Sequence, residues 1–264
     1  MRFSITKMHG ARNDFVLLDR RKERRGNLAR FARWACDRHA GIGADGVIAI
    51  ESSSVGDARM RTINSDGSEA EMCGNGIRCA ARWLDEAGEG SSLTFETDAG
   101  AIATEIVSRG YEYAVRVAMG RPALRELTLA SGERAWFVDL GNPHVVLVSP
   151  NVDSLDLEGV ARELQGDSRF PGGTNVHVMA PQGERSVRAR HWERGAGLTM
   201  ACGTGAVACA ATALRSGLTA APVEVLVPGG RLGVQFNDAG DAYLIGPAVR
   251  VFDAEVEYED ASSI

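Results

Sequence analysis

The sequence predicts an α+β protein of two pseudo-symmetric domains, each a curved, mostly antiparallel sheet wrapped around a central helix, with an active site in the interdomain cleft. Three observations carry this. Cys73 and Cys202 each open a Cys-Gly-x-Gly turn into an apolar helix, and they stand 129 positions apart in a chain of 264 residues. The same offset, applied without gaps, superposes Asn13 on Asn142, Val16 on Val145, Leu18 on Leu147, Gly43 on Gly172, Val47 on Val176 and Gly100 on Gly229. A period of half the chain is too long for a solenoid or propeller unit, so it points to a duplicated domain. Short strand-like runs flank both apolar helices. The domains are read as residues 1–120, carrying Cys73, and 121–264, carrying Cys202, with the last strand allowed to pack on the first domain.

Residues 3–8 and 14–19 alternate as strands, separated by a turn at His9-Gly10 that sets Asn13 at the entrance of the second. A helix is expected over 28–39, stopped at Gly41, then a buried strand over 47–50. The strand-like run 60–64 leads into the polar loop 65–69, which delivers Cys73. From Asn75 to about Ala87, Ile77, Ala80, Ala81 and Leu84 recur at helical spacing, while Arg78, Arg82, Asp85 and Glu86 interrupt the apolar surface. The second copy, 204–216, is apolar almost all round and has to be enclosed. Strands at 93–97, 101–107, 113–119, 223–227, 232–236 and 242–245 complete the two sheets, with a hinge between Gly120 and Ala135. Asp253 to Asp260 alternates acidic and apolar residues as an edge strand that frays into 261–264.

A chain of this length that is 44% hydrophobic can bury a full core. A net charge of −6 opposes nucleic-acid binding, which needs a basic face to displace counterions from phosphates. The cluster at residues 20–25 is basic but broken by Glu23, and reads as a solvated loop. The first five residues lack the apolar stretch of a signal peptide, so the cytoplasm is expected. The uncharged run 198–214 suits a buried helix better than a membrane span. Five cysteines do not make a disulfide framework, and Cys36, Cys79 and Cys209 read as small core residues. Gly41-Ile42-Gly43-Ala44-Asp45-Gly46 spells a dinucleotide fingerprint, but it follows a helix and precedes a strand, the reverse of what pyrophosphate binding requires.

A cysteine at a helix N-terminus meets unpaired N–H groups and the positive end of the dipole, which favour the thiolate. The glycines at 74, 76, 203 and 205 let a ligand approach those N–H groups, leaving one carboxylate pocket in each half. Two thiols on opposite sides of one tetrahedral carbon exchange a proton with inversion, which is a two-base racemase or epimerase. Zinc is disfavoured because Cys73/Cys79 and Cys202/Cys209 lack ligand spacing. A single nucleophilic cysteine with His144 as base leaves the second Cys-Gly-x-Gly unexplained.

The segments Met8-His9-Gly10, Asn13-Asp14-Phe15, residues 64–69, Cys73-Gly74-Asn75-Gly76-Ile77-Arg78-Cys79, Gly141-Asn142-Pro143-His144, Thr174-Asn175-Val176, Glu193-Arg194-Gly195 and Ala201-Cys202-Gly203-Thr204-Gly205 resemble the diaminopimelate epimerases nearly end to end. The resemblance implies epimerisation of LL-2,6-diaminopimelate to the meso form, without metal or cofactor, in lysine and peptidoglycan precursor synthesis. It implies Cys73 and Cys202 as the acid/base pair, with His144 and Glu193 near them. It implies Asn13, Asn64, Asn142, Asn175, Glu193 and Arg194 around the substrate's polar ends, and the backbone of Gly74, Asn75, Gly203 and Thr204 on the carboxylate. It also implies a homodimer. An arginine grips a carboxylate bidentately, and an asparagine serves both carboxylate and ammonium. Read by themselves, Asn13 and Asn142 also fit turn residues, and His144 a core histidine. The chain departs from the pattern at Gly46, where some relatives carry Gln, at Leu198, where many carry Glu, and at His177. A proline-type racemase and a non-catalytic amino-acid binding module are the competing readings.

Overall fold

The structure, a computed structural model, describes residues 1–22, 26–110 and 112–259. Glu23, Arg24 and Arg25 of the basic cluster, and Asp260 with residues 261–264 of the acidic end, lie outside the described residues. The chain divides into two units, 1–117 with 247–264, and 118–246.

The first unit begins with the hairpin β1 (Arg2–Gly10) and β2 (Asn13–Asp19). Its turn is not at His9-Gly10, which belongs to β1. Ala11 and Arg12 both take positive φ (50° and 65°), the two-residue turn whose twist matches paired strands. Helix α1 (Leu28–Cys36) follows, capped by Asn27, whose side chain accepts the Arg30 N–H. It stops three residues before the expected end because the Asp37 carboxylate takes the N–H groups of His39 and Ala40, a local turn that competes with helix. Then come β3 (Gly46–Glu51), β4 (Ala58–Asn64), the short β5 (Glu69–Ala70), α2 (Gly74–Glu86), β6 (Ser92–Thr97), β7 (Gly100–Ser108) and β8 (Ala114–Gly120). Strand β3 is buried along its whole length because helices cover both faces. Val47 and Ala49 join the α1 cluster with Phe31 and Ala35, while Ile48 meets α2 at Gly76.

The second unit repeats this order. It runs β9 (Ala123–Thr128), β10 (Arg134–Asp139), β11 (Pro143–Val148), α3 (Leu157–Gln165), β12 (Asn175–Gly183), β13 (Ser186–Glu193), β14 (Gly197–Thr199), α4 (Gly203–Arg215), β15 (Val223–Val227), β16 (Gly230–Phe236) and β17 (Ala242–Pro247). The offset from Cys73 to Cys202 carries α1 onto α3 and α2 onto α4, end for end. Pairing repeats as well. The parallel pairs β2–β3 and β4–β6 have counterparts in β11–β12 and β13–β15, while the hairpin pairs β1–β2, β3–β4 and β6–β7, and β10–β11, β12–β13 and β15–β16, are antiparallel. Each parallel pair is bridged by a helix, so each unit has one short helix on one face and the longer, enclosed helix on the other.

Strand β9 occupies the stretch read from sequence as a hinge, and pairs with β10. Its counterpart in the first unit is the last strand, β18 (Val249–Glu257), which pairs with β1 from Arg2↔Glu257 to His9↔Val249. Residues 247–259 therefore group with the first unit, and Tyr258 packs on Phe31 and Trp34. Among the described residues no helix is long and apolar enough to cross a membrane.

Candidate active site

Each thiol is the N-cap of its central helix. Cys73 and Cys202 have extended backbones, and their sulfurs accept the N–H of Gly76 at 3.4 Å and of Gly205 at 3.3 Å. The third helical N–H is thereby satisfied by sulfur. The first-turn N–H groups of Gly74, Gly203 and Thr204 have no acceptor within their helices, the arrangement that suits a helix N-terminus to an anion.

In the first unit the Cys73 thiol also lies 3.9 Å from Asn13 Oδ1. That oxygen accepts from Asn75 Nδ2 at 3.0 Å, and Asn13 Nδ2 donates to Asp45 Oδ2 at 2.7 Å. Asn75 is oriented in turn by Arg78, which donates to its Oδ1 at 2.8 Å. Arg78, which interrupts the apolar surface of the helix, is itself wholly buried. It spends its other donors on Gly74 O and Pro247 O, and burial lowers its pKa to about 10. Gly10 makes this possible, since a Cβ there would sit 2.9 Å from Asn75 O and 3.0 Å from Arg78 Nη2. Asn64 ends β4, exposed, with its amide on Ser68 Oγ at 3.0 Å. At Gly46 a Cβ would come within 2.9 Å of Ile63 O, so the backbone leaves a longer residue no room without shifting.

In the second unit Cys202 is 3% exposed. Burial, and then the Glu193 carboxylate that hydrogen-bonds it, raise its pKa well above the ordinary thiol value; the Thr204 hydroxyl and the Gly205 N–H oppose this but do not prevail. The expectation that a helix N-terminus makes both thiols ready thiolates therefore fails for Cys202, because desolvation outweighs the dipole. Glu193 is fixed at the end of β13 by Thr199 Oγ1, which donates at 2.6 Å. His144 is fully buried on β11, and its Nε2 meets Asn142 Oδ1 at 2.8 Å. Asn175 accepts the Arg194 N–H at 3.0 Å and donates to Pro143 O at 3.2 Å, so it braces the loops around the site. The exposed Arg194 guanidinium donates to Gly172 O at 2.6 Å. Leu198, on β14, is 51% exposed.

The sequence-derived residues thus gather into two sets, Asn13, Gly74 and Asn75 about Cys73, and Glu193 and Thr204 about Cys202 with Asn142 on His144. Arg78, Asp45, Thr199 and His191 escaped the sequence reading. Cys36 and Cys79 are held by burial at about 11 and about 12, and Cys209 is likewise pushed up, as core thiols should be. Among the described residues no group of three or more His, Cys, Asp and Glu side chains is arranged to hold a metal ion.

The duplicated fold is shared with solved structures that include racemases, epimerases and phenazine biosynthesis proteins. A hydroxyproline epimerase from Agrobacterium vitis superposes with a TM-score of 0.67 at 16% identity, covering 98% of this chain and 93% of that one. A PhzF-family phenazine biosynthesis protein from Bacillus anthracis gives 0.73 at 18% identity, covering 98% and 100%. Sequence narrows the class. The profile of the diaminopimelate epimerases matches residues 5–125 and 136–251. Proteins of that name from Desulforudis audaxviator and Archaeoglobus fulgidus are 40% and 41% identical, over 95% and 96% of this chain and 98% and 96% of their own lengths. The chain belongs to the diaminopimelate epimerase family.

Proposed function

We propose that this protein is an isomerase converting LL-2,6-diaminopimelate to meso-2,6-diaminopimelate, a step of lysine and peptidoglycan precursor biosynthesis, with Cys73 and Cys202 as its acid/base pair and no cofactor. The observation that carries the reading is the matched pair of thiol N-caps, each on the third N–H of its helix. One thiolate removes the α-proton from one face, the electron pair stays on the substrate carbon and its carboxylate, and the opposite thiol delivers a proton to the other face. The first-turn N–H groups of Gly74, Asn75, Gly203 and Thr204 stabilise the charge that develops on that carboxylate. The raised pKa of Cys202 suits the proton donor, which leaves Cys73 as the base in the direction the resting enzyme is set for. His144 and Glu193 support the reacting groups, and Asn13, Asn64, Asn142, Asn175, Glu193 and Arg194 serve the polar ends of a substrate with two amines and two carboxylates. The substrate is a small molecule, and the cytoplasm, whose reductants keep five thiols free, suits it. The homodimer belongs to this reading through the family likeness.

Incubating the pure protein with LL-diaminopimelate and resolving the isomers by chiral chromatography tests this. A mixture in which the meso form predominates over the LL form is expected, because inversion at either of the two equivalent centres of the LL isomer gives the same meso compound. Unchanged diaminopimelate, with proline racemised instead, would replace the reading by the proline-type one.

A further inference from the structure

Three of the chain's five histidines form a continuous buried chain of imidazoles in the second unit. His177 on β12 stands directly opposite His191 on β13, and Val146 opposite His177 places His144 on the same sheet face of β11. His191 Nδ1 lies 2.9 Å from His177 Nδ1, His177 Nε2 lies 2.8 Å from His144 Nδ1, and His144 Nε2 lies 2.8 Å from Asn142 Oδ1. The nitrogens meet in a line and do not converge on a point. Burial disfavours protonation of all three, so each ring has one N–H and one lone pair.

In such a chain the proton on one ring decides the others. The far end is His191 Nε2, a buried atom without a hydrogen-bond partner. If the chain ran toward His191, that atom would be a buried N–H with no acceptor, which native structures rarely tolerate. Running away from His191, it is only an unused lone pair. His191 Nδ1–H then donates to His177, His177 Nε2–H donates to His144, and His144 Nε2–H donates to Asn142 Oδ1. The Asn142 carboxamide is left with its NH₂ as the free end.

The fold itself does not require these histidines. The offset that relates the two units sets Phe15, Ile48 and Thr62 in place of His144, His177 and His191. Ile48 touches the α2 turn at Gly76 as His177 touches the α4 turn at Gly205, where Cβ atoms would fall 2.7 Å and 2.6 Å from them. In the first unit the counterpart asparagine, Asn13, is turned by Asp45 and Asn75. In the second unit the imidazole chain takes over that task.

We infer that His177 and His191 are positioning residues which, through His144, hold the Asn142 carboxamide with its NH₂ presented to a substrate carboxylate. This rests on the reading of Asn142 as a substrate ligand.

The test is ¹⁵N NMR of the whole protein labelled at histidine, joined to kinetics on LL-diaminopimelate. At pH 6 His144 and His177 are expected as Nε2–H tautomers and His191 as the Nδ1–H tautomer, all neutral. His144 with its proton on Nδ1, or any of the three protonated, would overturn the inference. His191→Leu removes the first donor and should scramble the tautomers of His177 and His144. It should also raise KM roughly tenfold, with kcat within about twofold, as loss of one oriented hydrogen bond to a carboxylate does. In His191→Asn the amide nitrogen stands where Nδ1 stood, and KM should return toward the wild-type value. Equal KM in the Leu variant and wild type, or equal damage in the Leu and Asn variants, would contradict the relay. The NMR arm needs no turnover: wrong tautomers in an active enzyme defeat the relay alone, while the expected tautomers in a protein that leaves diaminopimelate unchanged defeat the epimerase reading alone.

Discussion

Arg78, with no exposed surface, donates from Nη2 to Asn75 Oδ1 at 2.8 Å and so decides which way the Asn75 amide faces beside Cys73. Its remaining bonds go to carbonyls of Gly74 and Pro247, one at the start of α2 and one just before β18. A guanidinium thus ties the N-terminal turn of α2 to the segment that leads into β18.

Arg78→Met keeps much of the volume but leaves Asn75 Oδ1 and the half-buried carbonyls of Gly74 and Pro247 without this donor. A loss of about 3 kcal/mol or more is expected, at roughly 1 kcal/mol or more for each abandoned acceptor. Urea unfolding should show a lower midpoint. A midpoint within error of wild type would remove Arg78 from this role.

The glycines of the two Cys-Gly-x-Gly turns should differ in tolerance. In Gly76→Ala the new methyl meets Ile48 Cδ1, the end of a flexible chain, at 2.7 Å; in Gly205→Ala it meets His177 Cε1 at 2.6 Å, part of a rigid, hydrogen-bonded ring. Gly205→Ala should cost more stability and at least tenfold more activity, since the ring can yield only by breaking its bonds to His144 and His191. Parallel assays and thermal melts of the two variants check this, and equal effects would contradict it.

The buried histidines set an acid limit. In the unfolded chain they protonate near pH 6.5, whereas in the fold His144 and His191 are held down to about 3 and His177 well below its ordinary value, all by burial first. The unfolded state therefore binds more protons between those limits. The stability that neutral rings confer is complete above about pH 6.5 and is lost as pH falls toward about 3. Each ring adds a slope of about 1.4 kcal/mol per pH unit in that window. Urea titrations at stepped pH should show the His177→Phe curve flatter than wild type below pH 6; parallel curves would place His177 outside the acid response.

Cys73 and Cys202 should differ toward alkylation. Cys202 is buried and kept protonated by its surroundings, Glu193 among them, whereas Cys73 is half-exposed. Substoichiometric iodoacetamide, followed by peptide mass spectrometry, should label Cys73 first. Glu193→Gln removes the opposing charge and should speed labelling of Cys202. No change on that substitution would mean that Glu193 does not govern the thiol.

Much of this was legible in the sequence because duplication writes itself at a fixed offset. The helices α1 and α3, and α2 and α4, fall where the offset from Cys73 to Cys202 sends them, and both N-caps follow from Cys-Gly-x-Gly. What stayed hidden is tertiary. Arg78 reads only as an interruption of an apolar helix, and its burial depends on Gly10 on a distant strand, which leaves it space. His177 and His191 lie fourteen residues apart with no helical or strand period linking them, and only the β12–β13 register makes them neighbours. At Cys202 the helix N-terminus favours the thiolate locally while burial opposes it and prevails, and a sequence encodes burial only loosely.

The central claim is that two thiols act on opposite faces of one carbon, and solvent isotope tests it most directly. With LL-diaminopimelate in heavy water, the donor thiol carries solvent deuterium, so early meso product should be labelled at the inverted carbon. Remaining LL substrate should stay unlabelled, because the base thiol tends to return the proton it removed. Cys73→Ala and Cys202→Ala should each abolish inversion. Early label appearing equally in both isomers, or Cys202→Ala epimerising near the wild-type rate, would contradict the two-thiol mechanism.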